Sequence, residues 1–113
     1  MDYRITEILE AIENVFPESP NLKELALSEN ISVSYLQHLF KQERGISIKQ
    51  HVKNMRFEQA RVLLETTNLR IKEVCFEVRA PDNAHFGAEF KKAFGFYPKQ
   101  YRIDFHQNNT NNR

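Results

Sequence analysis

Within the stretch SVSYLQHLFKQERGIS, four polar residues recur at helical spacing: Ser34, Gln37, His38 and Lys41 fall at i, i+3, i+4 and i+7. On a helix they form one stripe, with Leu36, Leu39 and Phe40 on the opposite side. Each has a chemistry that duplex DNA accepts. Gln37 offers the paired donor and acceptor that match adenine, and His38 offers a donor to guanine acceptors. Ser34 bonds either way, and Lys41 supplies charge to a phosphate. Any solvated helix also shows a polar stripe, so a reading face needs support from elsewhere in the chain.

Other chemistries find no residues to carry them. His38, His51, His85 and His106 show neither an i, i+4 pair nor a cysteine at ligand spacing, so no metal is expected. Cys75, the single cysteine, sits on a core-facing position equivalent to Ala26, which favours packing over nucleophilic chemistry. Neither a phosphate loop nor a nucleophile elbow is present. No enzyme and no cofactor is predicted.

The elements that must hold the stripe are helical. Ile5, Ile8, Leu9, Ile12 and Phe16 share one face of a first helix from Tyr3 to Phe16, which Pro17 and Pro20 end. Leu22 to Ser28 predicts a short second helix, ENIS a turn, and Val33 to Gln42 a third helix capped by Ser32 and stopped by Gly45. Ser47 and Gln50 suggest a capping box opening the longest element, Ile48 to about Thr66. That rod would be about 28 Å long. Ile71 to Val78, Asp82 to Phe94 and Pro98 to about Arg102 complete seven helices, and the polar HQNNTNNR reads as a frayed tail. No strand period appears, so the chain reads as all-α.

Internal comparison links the stripe to a second region. Leu22-Lys23-Glu24-Leu25 aligns with Ile71-Lys72-Glu73-Val74, and after one extra residue at the turn Leu36, Phe40, Lys41 and Gly45 meet Phe86, Phe90, Lys91 and Gly95. Two copies are too few for a solenoid. A short helix, a tight turn and a second amphipathic helix make a helix-turn-helix unit, whose second helix fits a major groove about 12 Å wide. The expected architecture is a homeodomain-like, seven-helix domain over residues 1–102. It has helix-turn-helix subdomains at 3–45 and 69–102, a connecting helix at 48–66, and a polar tail at 103–113.

SVSYLQHLFKQERGIS, NMRFEQARVLLETTNLRIKEVCFEV and HFGAEFKKAFGFYPKQYR together resemble the C-terminal DNA-binding domain of the AraC/XylS transcription regulators. The resemblance covers about Leu22 to Arg102. It rests on Ser32, Tyr35, Leu36 and Phe40, on Arg56, Ala60 and Leu64, and on Phe86, Phe90, Lys91, Gly95, Pro98, Tyr101 and Arg102. It implies a sequence-specific regulator whose two recognition helices enter successive major grooves on one face of DNA. A rod of about 28 Å is compatible with the roughly 34 Å of one DNA turn.

Carried over by position, base reading falls on Ser34, Gln37 and His38 in the first copy, and on Asn83, Ala84, Gly87 and Ala88 in the second. The resemblance implies phosphate contacts at the amides near Ser47 and Ile48, at Lys49 and Lys53, at Lys91, Lys92 and Lys99, and at the amides after Pro98. Lys41 joins them from the stripe. The chain departs from the family pattern at four places. His38 and Ala88 replace arginines, Arg79-Ala80 replaces Gly-Phe after the fifth helix, and His85 replaces an aromatic residue. Pro81 is expected to keep Ala80 extended. Base readout is therefore expected mainly from the first copy. The alternative is a degenerate domain that works through protein contacts such as RNA polymerase.

Charge agrees with a polyanionic partner. The net charge is +1, but Met1 to Gln37 holds two basic and seven acidic residues, giving −5, while His38 to Arg102 holds thirteen basic and seven acidic, giving +6. No apolar run approaches the roughly 20 residues that cross a bilayer. One cysteine excludes an internal disulfide, and a cytoplasmic setting follows. The expected partners are double-stranded DNA and RNA polymerase, with no membrane. A small-molecule or protein effector is expected only through a further N-terminal domain.

Overall fold

The computed structural model describes residues 2–80 and 82–111. Its elements are α1 (Tyr3–Val15), α2 (Leu22–Ser28), α3 (Val33–Arg44), α4 (Ile48–Thr66), α5 (Ile71–Glu77), α6 (Asn83–Phe94) and α7 (Pro98–Asn111). The described residues form no strand. The chain divides between Asn54 and Met55 into two compact units, so the division falls within α4.

In the first unit, the i, i+3, i+7 spacing of α1 buries Ile5, Ile8 and Ile12. These belong to a core with Leu25 and Ala26 of α2, Leu36, Leu39 and Phe40 of α3, and Ile48 and Val52 from the start of α4. Asp2 caps α1 by accepting from the Arg4 amide at 2.9 Å, and Asn21 caps α2 by accepting from Glu24 at 3.1 Å. The Arg4 guanidinium also donates to Asp2 and lies 5.6 Å from the Tyr35 ring centroid. That contact fastens the beginning of α1 to the first turn of α3.

The second unit repeats the scheme with larger side chains. Phe57, Ala60 and Leu64 of α4 pack with Val74 and Cys75 of α5, Val78, and Phe86 and Phe90 of α6. Phe86 sits 5.2 Å from Phe57 and 6.2 Å from Phe90, ring centre to ring centre. Cys75 and Ala26 are both buried at equivalent positions. Burial pushes the Cys75 thiol above its usual pKa, so it packs as a small neutral side chain.

The turns between the paired helices close alike. Ile31 donates to Ala26 O at 3.0 Å and Asn30 to Leu27 O at 3.1 Å; Ala80 donates to Cys75 O at 2.9 Å and Arg79 to Phe76 O at 3.1 Å. This is the Schellman arrangement, with Asn30 (φ 58°) and Arg79 (φ 61°) in the left-handed position. The extra residue of the second copy is Pro81, between Ala80 and the cap Asp82. It lies outside the described residues, as does the expectation that it extends Ala80.

Two local expectations change. The Ser47 hydroxyl accepts from the Gln50 amide at 3.1 Å, but the Gln50 side-chain nitrogen donates forward to Asn54 Oδ1 at 2.8 Å. The final helix also does not stop near Arg102; it runs to Asn111, through most of the segment expected to fray. Phe105 stacks on Tyr101 at 6.4 Å, one turn earlier, and the Asn108 amide donates to Asp104 at 3.2 Å. These i, i+4 contacts extend the helix through weak helix formers.

Tyr101 and Arg102 anchor the start of α7 to α4 and to the loop after it. Tyr101 donates to Glu65, which also accepts from Arg61 at 2.6 Å, and Arg102 Nε donates to Leu64 O at 3.0 Å.

Candidate nucleic-acid interface

Helix α3 begins where Ser32 Oγ accepts from the Tyr35 amide at 3.1 Å, and it ends at Gly45, whose φ of 80° suits glycine. Leu36, Leu39 and Phe40 are buried, which fixes the rotation of the helix about its axis. Ser34, Gln37, His38 and Lys41 consequently all face solvent. Ser34, Gln37 and His38 are polar groups of different reach, followed by the lysine one turn on. That order suits a helix whose N-terminal part meets base edges and whose far end approaches the backbone.

Helix α6 is built the same way. The Asp82 carboxylate accepts from the His85 amide at 3.0 Å, Gly95 ends the helix at φ 88°, and Phe86 and Phe90 are buried. The equivalents of Ser34, Gln37 and His38 are Ala84, Gly87 and Ala88. Asn83, Ala84 and Ala88 are exposed, and Gly87 is half-buried. The interior of α6 therefore offers short side chains where α3 offers long ones, and Asn83 is the one amide at its start.

Gly87 owes nothing to backbone strain, because only Gly45 and Gly95 among the glycines have positive φ. A Cβ there would lie 3.9 Å from Pro98 Cδ and 4.0 Å from Tyr97 Cδ1, an ordinary contact distance. Tyr97 was not among the residues singled out from the sequence. It precedes α7, stays 53% exposed, and its ring centroid lies 4.7 Å from Lys91 Nζ. The missed signal was an aromatic residue ten positions after a helical glycine, at the place where the first unit has Ser47.

Among the phosphate candidates, Lys41, Ser47, Lys49, Lys91, Lys92 and Lys99 are exposed, whereas Lys53 is half-buried. Lys41 and Lys91 occupy the last turns of α3 and α6, and Lys49 and Lys99 the first turns of α4 and α7. The amides that open α4 and α7 complement anions through the helix dipole. His51, beyond Lys49, is different: its ring meets Phe40 edge to face at 5.5 Å. Burial, and then the nearby Arg44 charge, depress its pKa, so it serves packing.

Comparison with known proteins supplies relatives for this arrangement. A helix-turn-helix domain family matches residues 25–103. The arabinose operon regulatory protein of Escherichia coli (strain K12) is 34% identical over 103 residues, covering 90% of this chain and 35% of its own length. The C-terminal domain of AraT, a response regulator from Geobacillus stearothermophilus, superposes with a TM-score of 0.79 at 33% identity, covering 91% of this chain and 86% of that one. The DNA-binding domain of AdpA, solved in complex with a target DNA, gives a TM-score of 0.81 over 93% of this chain and 95% of that one. At 21% identity that likeness concerns the fold. The chain spans little more than a third of the curated relatives' length, 37% and 35% in two cases. Among the described residues no helix is long and apolar enough to cross a membrane.

Proposed function

The chain belongs to the AraC/XylS family of transcription regulators, as an AraC-type helix-turn-helix DNA-binding domain, and from that premise we propose how it meets DNA. Both α3 and α6 enter major grooves, one turn of duplex apart, and α3 carries most of the base readout. Ser34, Gln37 and His38 read base edges from α3. Asn83 reads from the start of α6, and Ala84, Gly87 and Ala88 let its backbone come close, with Ala88 able to touch a thymine methyl. Lys41, Ser47, Lys49, Lys91, Lys92 and Lys99 hold the phosphates, and Lys53 contributes least because it is half-buried.

The observation that carries this reading is the contrast between two equally framed helices. On α3 the exposed residues at 34, 37 and 38 are Ser, Gln and His; the equivalent residues on α6 are Ala84, Gly87 and Ala88. The family is one of DNA-binding regulators, not enzymes. We further infer a cytoplasmic role in transcription with RNA polymerase as the second partner. An effector, where one acts, would bind a segment outside these residues.

The test is binding to random duplex in graded salt, followed by selection of preferred sites. Binding should weaken steeply with salt, and the selected site should be strongly specified in one half and weakly in the other. Failure to bind duplex at low salt would refute the reading. Two equally specified halves would refute the unequal division between α3 and α6.

A further inference from the structure

The two units exchange a long side chain between neighbouring elements. In the first, the long residue is Gln37 on the recognition helix, and the short one is Ser47 at the following turn. In the second, Gly87 is on the helix and Tyr97 at the turn. Tyr97 Cδ1 comes within 4.0 Å of where a Gly87 Cβ would be. A methyl group would fit there at ordinary contact distance, so the ring lies beside the bare position. Tyr97 thus leans on the bare stretch of α6, and more than half of its surface, 53%, remains exposed. Lys91 approaches the same ring, its ammonium 4.7 Å from the centroid, within cation–π range.

We propose that Tyr97 and Lys91 together bind one backbone phosphate of duplex DNA, Tyr97 serving as a positioning and contact residue that the second unit has in place of a reading side chain. The phenol and the ammonium are both hydrogen-bond donors, and an anion accepts from both. The ring holds the lysine, whose free side chain would otherwise lose much rotamer freedom on binding. Lys91 lies in the last turn of α6, the part of a recognition helix that nears the backbone while its N-terminal part meets base edges. A phosphate is therefore favoured over a base. This proposal rests on the reading of the chain as a duplex-binding domain.

Anisotropy titration of Tyr97→Phe, Lys91→Gln and the unaltered chain, against a random duplex and a selected site over a salt series, tests it. Tyr97→Phe keeps the ring and its packing. It should weaken binding to both duplexes by the same factor, about tenfold, through loss of a hydrogen bond to a charged acceptor. The salt slope should stay unchanged, because the phenol carries no charge. Lys91→Gln should weaken both and reduce the slope by about 0.9, one phosphate's worth of counterion release. Unaltered affinity in Tyr97→Phe beside weakened binding in Lys91→Gln would overturn the Tyr97 contact alone. A Tyr97→Phe loss confined to the selected site would indicate a base contact and overturn the phosphate assignment. Wild-type affinity in both variants would overturn the paired site. No duplex binding by the unaltered chain would overturn the functional reading beneath it as well.

Discussion

Ser32 and Asp82 cap the second helices of the two units at equivalent places, and Gly45 and Gly95 end them in the same left-handed turn. Phe40 meets His51 edge to face at 5.5 Å, and Phe90 meets Tyr101 in the same way at 5.6 Å. Between cap and glycine, the outward residues share little beyond Lys41 and Lys91. Inward positions are bound by packing density and outward ones are not, so one backbone solution can carry two different contact chemistries. The units differ in the length of their outward side chains, not in fold.

The equality of the two frames is the part most sharply broken by mutation. Phe40 and Phe90 are each fully buried. Phe40→Ala and Phe90→Ala should each lower unfolding stability by about 3–5 kcal/mol, measured by urea denaturation. Similar losses would bear out equivalent frames. A much smaller loss at Phe90 would mean that its neighbours collapse into the space and that the second core is the looser one.

The outward difference is broken next. Gln37→Ala with His38→Ala should remove most of the sequence preference while leaving salt-sensitive binding to random duplex, a loss of about 1–3 kcal/mol per bidentate contact on the selected site. Equal weakening on selected and random duplex would remove the reading role from those side chains. The converse is Ala88→Arg, which restores the long residue of the family pattern to α6. It should raise affinity for duplex with guanine at the facing position by about tenfold. If neither affinity nor preference changes, α6 does not enter the groove.

Much of the frame is legible in the sequence because it depends on local rules. Apolar spacing placed Leu36, Phe40, Phe86 and Phe90 inward, and Ser32 with Gly45 marked the ends of α3. The repeat placed Cys75 in the core as the equivalent of Ala26. What escaped depends on contacts that spacing does not encode. Tyr97 reaches Gly87 across a turn, ten residues along the chain, and no helical period relates them. The extension of α7 to Asn111 was hidden by a run of poor helix formers, although Tyr101 and Phe105 stand four residues apart and stack. Contacts between side chains four residues apart, this ring pair and Asn108 on Asp104, suffice to shift that helix end because helix termini are balanced by small free energies.

The turns before α3 and α6 differ in what fills the left-handed position. Asn30 tolerates the left-handed conformation, whereas arginine, as Arg79, bears a larger steric cost there. Contacts offset part of it: Arg79 Nη1 donates to Phe76 O at 3.0 Å, and the guanidinium lies 5.5 Å from the Phe76 ring centroid. Arg79→Gly should raise stability by about 1 kcal/mol and Asn30→Gly by a few tenths, read as shifts in the urea midpoint at constant slope. A loss on Arg79→Gly would show that the arginine's contacts outweigh its strain.

The smallest expected difference is one of pH, and it separates the two ring pairs. His51 and Tyr101 occupy equivalent places against Phe40 and Phe90, but only the histidine titrates near neutrality. Burial, then the Arg44 charge, lower the His51 pKa in the fold, so the unfolded chain takes up this proton first as pH falls. Its neutral-state stabilisation is complete above the unfolded pKa of about 6.5 and is lost as pH drops through that value toward the lower folded one. His51→Tyr, copying the second unit, should therefore flatten the dependence of stability on pH between about 7 and 5 relative to the unaltered chain. An unchanged profile would mean that the His51 ring is protonated as readily in the fold as outside it, and that its contact with Phe40 does not depend on charge.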